Sequence, residues 1–176
     1  MLWNIADFQT LPLTAAECRA ANLPAGLMST RAIDLFPGAR DPKAALAGLL
    51  LLYGHWGASH QISQDVYSVE GSYWHAIAHR IEPDSQNAAY WFRRVGVHPI
   101  FKALYVDAQS CLSSSKTGWR LRNEWDPYLF IQWCNEARNQ PGSEKERVAR
   151  RLQRLECAHL FTWCTMKIKG LLPESA

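Results

Sequence analysis

Apolar residues recur at helical spacing along most of the chain, and no stretch alternates long enough to require a β-strand. Leu46, Leu49, Leu50 and Tyr53, for example, share one face of a helix predicted over residues 41–53. The pattern therefore predicts an all-α fold, with an irregular orthogonal bundle as the expected form of a compact multi-helix domain.

Capping signals define the ends of the predicted helices. An Asp-Pro pair, in which the aspartate can accept from free backbone N–H groups, begins the helices over residues 41–53 and 126–139. Capping boxes predict a short helix from Thr14 to Ala21 and the longest helix from Ser143 to about Gly170. Further helices are expected over residues 60–66 (with Ser59 as cap), 70–82, 84–95 (ending at Gly96) and 99–112.

A chain of 176 residues is long enough to bury one core and short enough to remain one domain. Within a single domain over residues 1–176, residues 1–40 are rich in proline and predict an irregular N-terminal wrap. Residues 41–112 then carry the densest set of polar and aromatic side chains, and residues 126–170 form the C-terminal helices.

Charge and cysteine content exclude several classes of protein. A net charge of +3 without a recognisable basic module predicts no nucleic-acid partner. The longest apolar run, residues 44–53, is too short to span a bilayer, so no membrane partner is expected. Five scattered cysteines without a C-x-x-C pair predict reduced, mostly buried thiols. With no signal-peptide pattern at the N-terminus, these features predict a cytoplasmic protein.

One helix carries a strip of ionisable side chains. His75, His79 and Glu82 are spaced i, i+4, i+7 and lie within about 60° of one another around the helix axis. This strip adjoins an apolar face that includes Trp74 and Ile77. Its position predicts that the three side chains line a cleft at the boundary of the core.

Three interpretations of this strip remain open. Two imidazoles one turn apart, followed by a carboxylate, can ligate a divalent metal, with His55, His60 or Asp65 completing the site. Alternatively, His75, His79 and Glu82 are catalytic without a metal, with a histidine donating or accepting a proton. The third interpretation is a structural, hydrogen-bonded network. The H-E-x-x-H pattern of zinc proteases is absent.

The surrounding segment combines polar groups with aromatic walls, which is the composition of a small-molecule pocket. An arginine there suits a carboxylate or phosphate group, although an ion pair within the protein is the simpler explanation. The candidate ligand-binding residues are His60, Tyr73, Trp74, Asn87, Trp91, Arg94 and His98.

The block Gly71-Ser-Tyr-Trp-His-Ala-Ile-Ala-His-Arg-Ile-Glu-Pro-Asp84, with Asn87, Tyr90-Trp-Phe-Arg-Arg-Val-Gly96 and His98-Pro99, resembles an uncharacterised family of bacterial and fungal proteins. The resemblance covers roughly residues 45–101 and has no established activity attached to it. Residues 87–96 are also similar to part of a tetratricopeptide-like helical repeat, but only one copy is visible.

Two functions are consistent with these observations. The first is a small-ligand or metal-binding protein, an enzyme being one form of it, that uses the face of His75, His79 and Glu82. The second is a helical interaction module, tetratricopeptide-like, in which the same residues form a structural polar network. The oligomeric state and the substrate do not follow from the sequence.

Overall fold

A computed structural model describes residues 11–168, and within this range the regular structure is helical, without β-strands. The all-α prediction is confirmed. Two short 3₁₀ turns, Ala15–Glu17 and Leu27–Ser29, precede the α-helices. The α-helices are α1 (Ala32–Leu35), α2 (Pro42–Leu52), α3 (Trp56–Gln64), α4 (Val69–Ile81), α5 (Ser85–Val95), α6 (Phe101–Ser113), α7 (Pro127–Arg138) and α8 (Glu144–Thr165).

Most helix ends follow the capping signals of the sequence. The Asp41 carboxylate accepts a hydrogen bond from the Ala44 N–H at 3.0 Å and begins α2. Asp126 and Ser143 cap α7 and α8 in the same way. Gly96, with φ of +62°, ends α5 in a conformation that favours glycine. The corresponding predictions are confirmed.

Two helices in the N-terminal half differ from prediction. The Thr14 side chain makes no capping hydrogen bond, and a single 3₁₀ turn replaces the helix expected there. Helix α3 begins at Trp56, so that Ser59 is a buried residue inside the helix and not its cap. The backbone N–H of Ser59 donates to the His55 carbonyl at 3.0 Å, because the chain turns into a helix immediately after His55.

The last helix ends earlier than expected, at Thr165. Gly170, where the sequence predicts its end, lies outside the described residues, as do residues 1–10 of the N-terminal wrap. Beyond Thr165 the backbone pairs with the segment before α2. The Arg40 N–H donates to the Met166 carbonyl at 2.8 Å, and the Ile168 N–H donates to the Gly38 carbonyl at 3.1 Å. These tertiary hydrogen bonds replace the continuation of the helix.

Helix α4 lies at the centre of the packing, in contact with α2, α3 and α5. Every residue from 71 to 81 is buried, including the polar ones. The predicted boundary position of the strip is therefore wrong for its two histidines: His75 is 2% exposed and His79 is 9% exposed. Only Glu82, which follows the helix, is exposed.

A buried ion pair joins α4 to α8. Arg80 and Glu156 are paired, and neither side chain is exposed to solvent. The Tyr73 hydroxyl donates to Glu156 at 3.0 Å. Burial and the charge of Glu156 raise the pKa of Tyr73 well above its usual value, so the hydroxyl keeps its proton. The Arg80 guanidinium also lies 4.4 Å from the centre of the Phe130 ring.

Close contact between α2 and α4 depends on Gly48. A Cβ atom at this position would lie 2.4 Å from the Trp74 ring, and Trp74 is fully buried. We expect Gly48→Ala to lower the free energy of unfolding by about 1–3 kcal/mol because the buried indole has no room to move. Gly57→Ala is the matched control, because a Cβ there meets no atom of the described residues within 4 Å. It should change stability by less than about 1 kcal/mol in urea denaturation.

All five cysteines are free thiols, and four of them are buried, in agreement with the prediction for these residues. None of the helices in the described range combines the length and hydropathy needed to cross a lipid bilayer.

Candidate metal centre

Three imidazoles converge through their Nε2 atoms between α3 and α4. The Nε2 atom of His79 lies 3.1 Å from that of His75 and 3.4 Å from that of His60. One ligand atom from each of the three residues falls within 4.8 Å of the others. We call His60, His75 and His79 the histidine triad.

Local geometry and helix packing bring the triad together. His75 and His79 lie one turn apart on α4, so their rings project from the same side of the helix. His60 comes from α3, which is anchored on α4 by the Trp56 indole N–H donating to the Ala78 carbonyl at 2.9 Å. The Trp56 ring also stacks on the His60 ring, with the ring centres 5.3 Å apart.

The second nitrogen of each α4 histidine has its own partner. His79 Nδ1 lies 2.9 Å from a Glu82 carboxylate oxygen. His75 Nδ1 lies 3.2 Å from the His60 carbonyl oxygen and 3.1 Å from the Ser63 hydroxyl. A carbonyl or carboxylate oxygen only accepts, so both Nδ1 atoms carry a proton and donate it. In the neutral rings both Nε2 atoms then present lone pairs, and these face each other.

Burial and neighbouring imidazoles keep two members of the triad neutral. Burial, followed by the nearby rings of His60 and His79, lowers the pKa of His75 to about 4. Burial and the His79 ring also lower the pKa of His60 below its usual value. Both rings are therefore uncharged at neutral pH, which is the state in which a histidine ligates a metal.

The triad belongs to a column of rings. Trp56, His60, His75 and Trp91 contact one another in that order, with successive ring centres 5.3, 4.4 and 4.4 Å apart. The His79 ring stands nearly perpendicular to both of the other imidazoles, at 86° and 84°. The indoles thus shield the outer sides of the triad.

The structure brings together six of the residues that the sequence singled out. Five of them form the site and its immediate surroundings, and the sixth, Arg94, lies 5.2 Å from the centre of the Trp91 ring. Glu82 bonds the Nδ1 side of His79, away from the converging Nε2 atoms. The five are His60, His75, His79, Glu82 and Trp91.

Four other predicted ligand-binding residues lie elsewhere or have other roles. Tyr73 belongs to the ion-pair cluster with Glu156, and Trp74 packs on Gly48. Asn87 is exposed and donates to the Asp84 carboxylate at 2.6 Å, where it supports the cap of α5. The fourth, His98, is buried beside Trp163 and Phe101.

Glu70 is the acidic partner in the His98 cluster. Its carboxylate lies 3.7 Å from His98 Nε2 and accepts from the Trp163 indole N–H at 2.7 Å. The His98 imidazole, together with this indole, outweighs the opposing effect of burial and lowers the pKa of Glu70 to about 2. The cluster holds the start of α4 against α8, away from the triad.

The lowered pKa of Glu70 predicts a stability change in acid. The ionised carboxylate stabilises the fold fully above its usual pKa of 4.5, and this contribution disappears as the pH falls from 4.5 to about 2. Thermal unfolding of Glu70→Gln should differ most from the wild type at neutral pH and least near pH 2. Glu124→Gln at an exposed position, measured under the same conditions, is the control for the substitution itself. If the wild type remained more stable than Glu70→Gln by the same amount at pH 2, the lowered pKa of Glu70 would be contradicted.

Sequence reasoning missed two residues that support the triad. Trp56, His60 and Ser63 are spaced i, i+4, i+7 on α3 and face α4, which repeats the spacing of the strip on α4. In a helix predicted to begin at residue 60, Trp56 lies outside the helix, so this spacing is not apparent from the sequence. His55, one of the residues considered for completing a metal site, instead directs its Nε2 to the Ala21 carbonyl at 2.8 Å.

The triad is therefore a set of three nitrogen donors, two on buried histidines and one on the half-buried His60, positioned by two helices and by hydrogen bonds to the opposite side of two of its rings. Comparisons of the chain with models of protein families, with curated proteins and with solved structures found no match.

Proposed function

We propose that this chain binds a divalent transition-metal ion of the zinc class at the histidine triad. The convergence of the His60 and His75 Nε2 atoms on that of His79 carries this proposal. Zinc–nitrogen bonds of about 2.0–2.1 Å at tetrahedral angles separate two ligand nitrogens by about 3.4 Å. The His79 Nε2 atom lies 3.1 Å from that of His75 and 3.4 Å from that of His60, which are distances close to this value.

The hydrogen bonds behind the ligands support the same function. Metal-bound histidines commonly donate their other N–H to a carboxylate or a backbone carbonyl, which fixes the tautomer and the ring orientation. His79 has the Glu82 carboxylate in this position, and His75 has the His60 carbonyl. Glu82 is thus proposed as a positioning residue for His79.

Imidazole ligands also select the type of metal. Neutral nitrogen donors suit zinc, copper, nickel and iron, whereas magnesium and calcium prefer oxygen. The proposed function is therefore metal binding that ties α3 to α4, with His60 on one helix and two ligands on the other.

Isothermal titration of zinc into chelator-treated protein tests the proposal. The wild type should bind one zinc ion per chain, whereas His79→Ala and the milder His60→Ala should lose most of the affinity. His159→Ala is the matched control, because His159 pairs with Asp107 outside the triad. Circular dichroism would verify that each variant is folded. A folded wild type that takes up no zinc would refute the proposal.

A metal-free network is a second candidate, and the same contacts favour it. One extra proton on His79 Nε2 would let that ring donate both to Glu82 and to His75, at 2.9 and 3.1 Å. The residues would then serve the structure, as expected for an interaction module. This function predicts no zinc uptake, together with a large loss of stability in His75→Ala, because a buried partner is left unpaired.

A further inference from the structure

We infer that a metal ion at the histidine triad keeps one exchangeable coordination position, which takes water, hydroxide or another small anion. The inference rests on the proposed function and specifies the ligand class of the same site. It follows from the number of protein donors, their charge and the side from which solvent reaches them.

The triad supplies three donors to an ion that prefers four. Within residues 11–168, the group of possible metal ligands that contains His60 and His75 has His79 as its third and last member. Two oxygen-bearing side chains beside the triad have other partners: Glu82 bonds His79 Nδ1, and the Ser63 hydroxyl lies at His75 Nδ1. Structural zinc sites take four protein ligands, whereas sites with three leave one position to an exchangeable ligand.

The charge of the donors determines what that ligand is. Three neutral imidazoles leave the full double positive charge on the ion, unlike cysteine thiolates, which neutralise it. The surroundings are aromatic and buried, and electrostatic attraction is stronger there than in water. An anion or the oxygen lone pair of water is therefore the favoured fourth ligand.

Exposure of the ligands indicates the side of access. His75 is 2% exposed, but His60 is only half-buried, and the Glu82 side chain beside His79 is 42% exposed. Trp56 and Trp91 cover the outer sides of the His60 and His75 rings. His60 is the least buried member of the triad, so a small ligand approaches the ion from the side of His60.

Cobalt(II) loaded in place of zinc tests this inference. We expect the cobalt protein to show visible absorption bands typical of four-coordinate cobalt, and to shift them saturably when sodium azide is added. His159→Ala, with an intact triad, should show the same shift. His60→Ala should bind cobalt more weakly and lose the wild-type spectrum.

The two possible failures are distinguishable. Cobalt bands that stay unchanged at saturating azide and thiocyanate would overturn the exchangeable position while leaving metal binding intact. Absence of cobalt uptake by the folded wild type would overturn the proposed function, and with it this inference.

Discussion

Replacing Glu156 with glutamine is expected to lower the free energy of unfolding by about 3–5 kcal/mol. The substitution preserves the size of the side chain but leaves the Arg80 guanidinium charged and buried without its partner. Two further Arg80 nitrogens, Nε and Nη1, have no hydrogen-bond partner among residues 11–168, so little compensation is at hand. Urea denaturation followed by circular dichroism measures the loss.

Two companion variants test whether the buried charge is the cause. The exposed pair of Arg31 and Asp34 serves as a control, and Asp34→Asn should leave the stability almost unchanged because solvent screens this pair. The double variant Arg80→Met/Glu156→Leu removes both charges and should regain much of the lost stability, since apolar replacements of buried pairs are often neutral. A Glu156→Gln protein as stable as the wild type would contradict the role assigned to this pair.

Zinc should raise the stability of the wild-type chain by about 4 kcal/mol when its free concentration is a thousandfold above the dissociation constant. The reason is that zinc binds the folded state: only folding brings His60 of α3 next to His75 and His79 of α4. Thermal unfolding in the presence and absence of zinc measures this effect. In His79→Ala the zinc-dependent increase should disappear.

Measuring each variant with and without zinc distinguishes the loss of a metal ligand from a loss of core packing. His159→Ala should keep the zinc-dependent increase, because His159 lies in an ion pair with Asp107. If His79→Ala only disturbs core packing, the variant will be less stable than the wild type, but zinc will still raise its stability. A response of equal size in the two variants would exclude the triad as the site.

Local signals explain why many helix ends could be predicted. Asp41 and Asp126 cap helices through hydrogen bonds to residues two or three positions along the chain, so the relevant partners are visible in sequence. Helix α8 shows the limit of this approach, because its end depends on residues near Gly38 and Arg40. Contacts between distant segments leave no comparable local pattern.

The same distinction applies to the site. His75 and His79 could be paired from the helical period alone, and His60 was recognised as a possible partner. Its actual position depends on how α3 packs against α4, including the Trp56 hydrogen bond to Ala78. Burial was harder to predict. An arginine such as Arg80 normally indicates an exposed side of a helix. Its burial follows only from the position of Glu156 on α8, which is not apparent from the sequence.

The column of rings makes tryptophan fluorescence a signal for metal binding at the triad. Two of the eight tryptophans, Trp56 and Trp91, contact His60 and His75 directly. A paramagnetic ion such as copper(II) quenches nearby indole emission. Binding at the triad would therefore quench the fluorescence of these two side chains more strongly than that of the other tryptophans. Occupancy can therefore be followed by intrinsic fluorescence in unlabelled protein, with Trp91→Phe showing how much of the signal arises at the His75 end of the column.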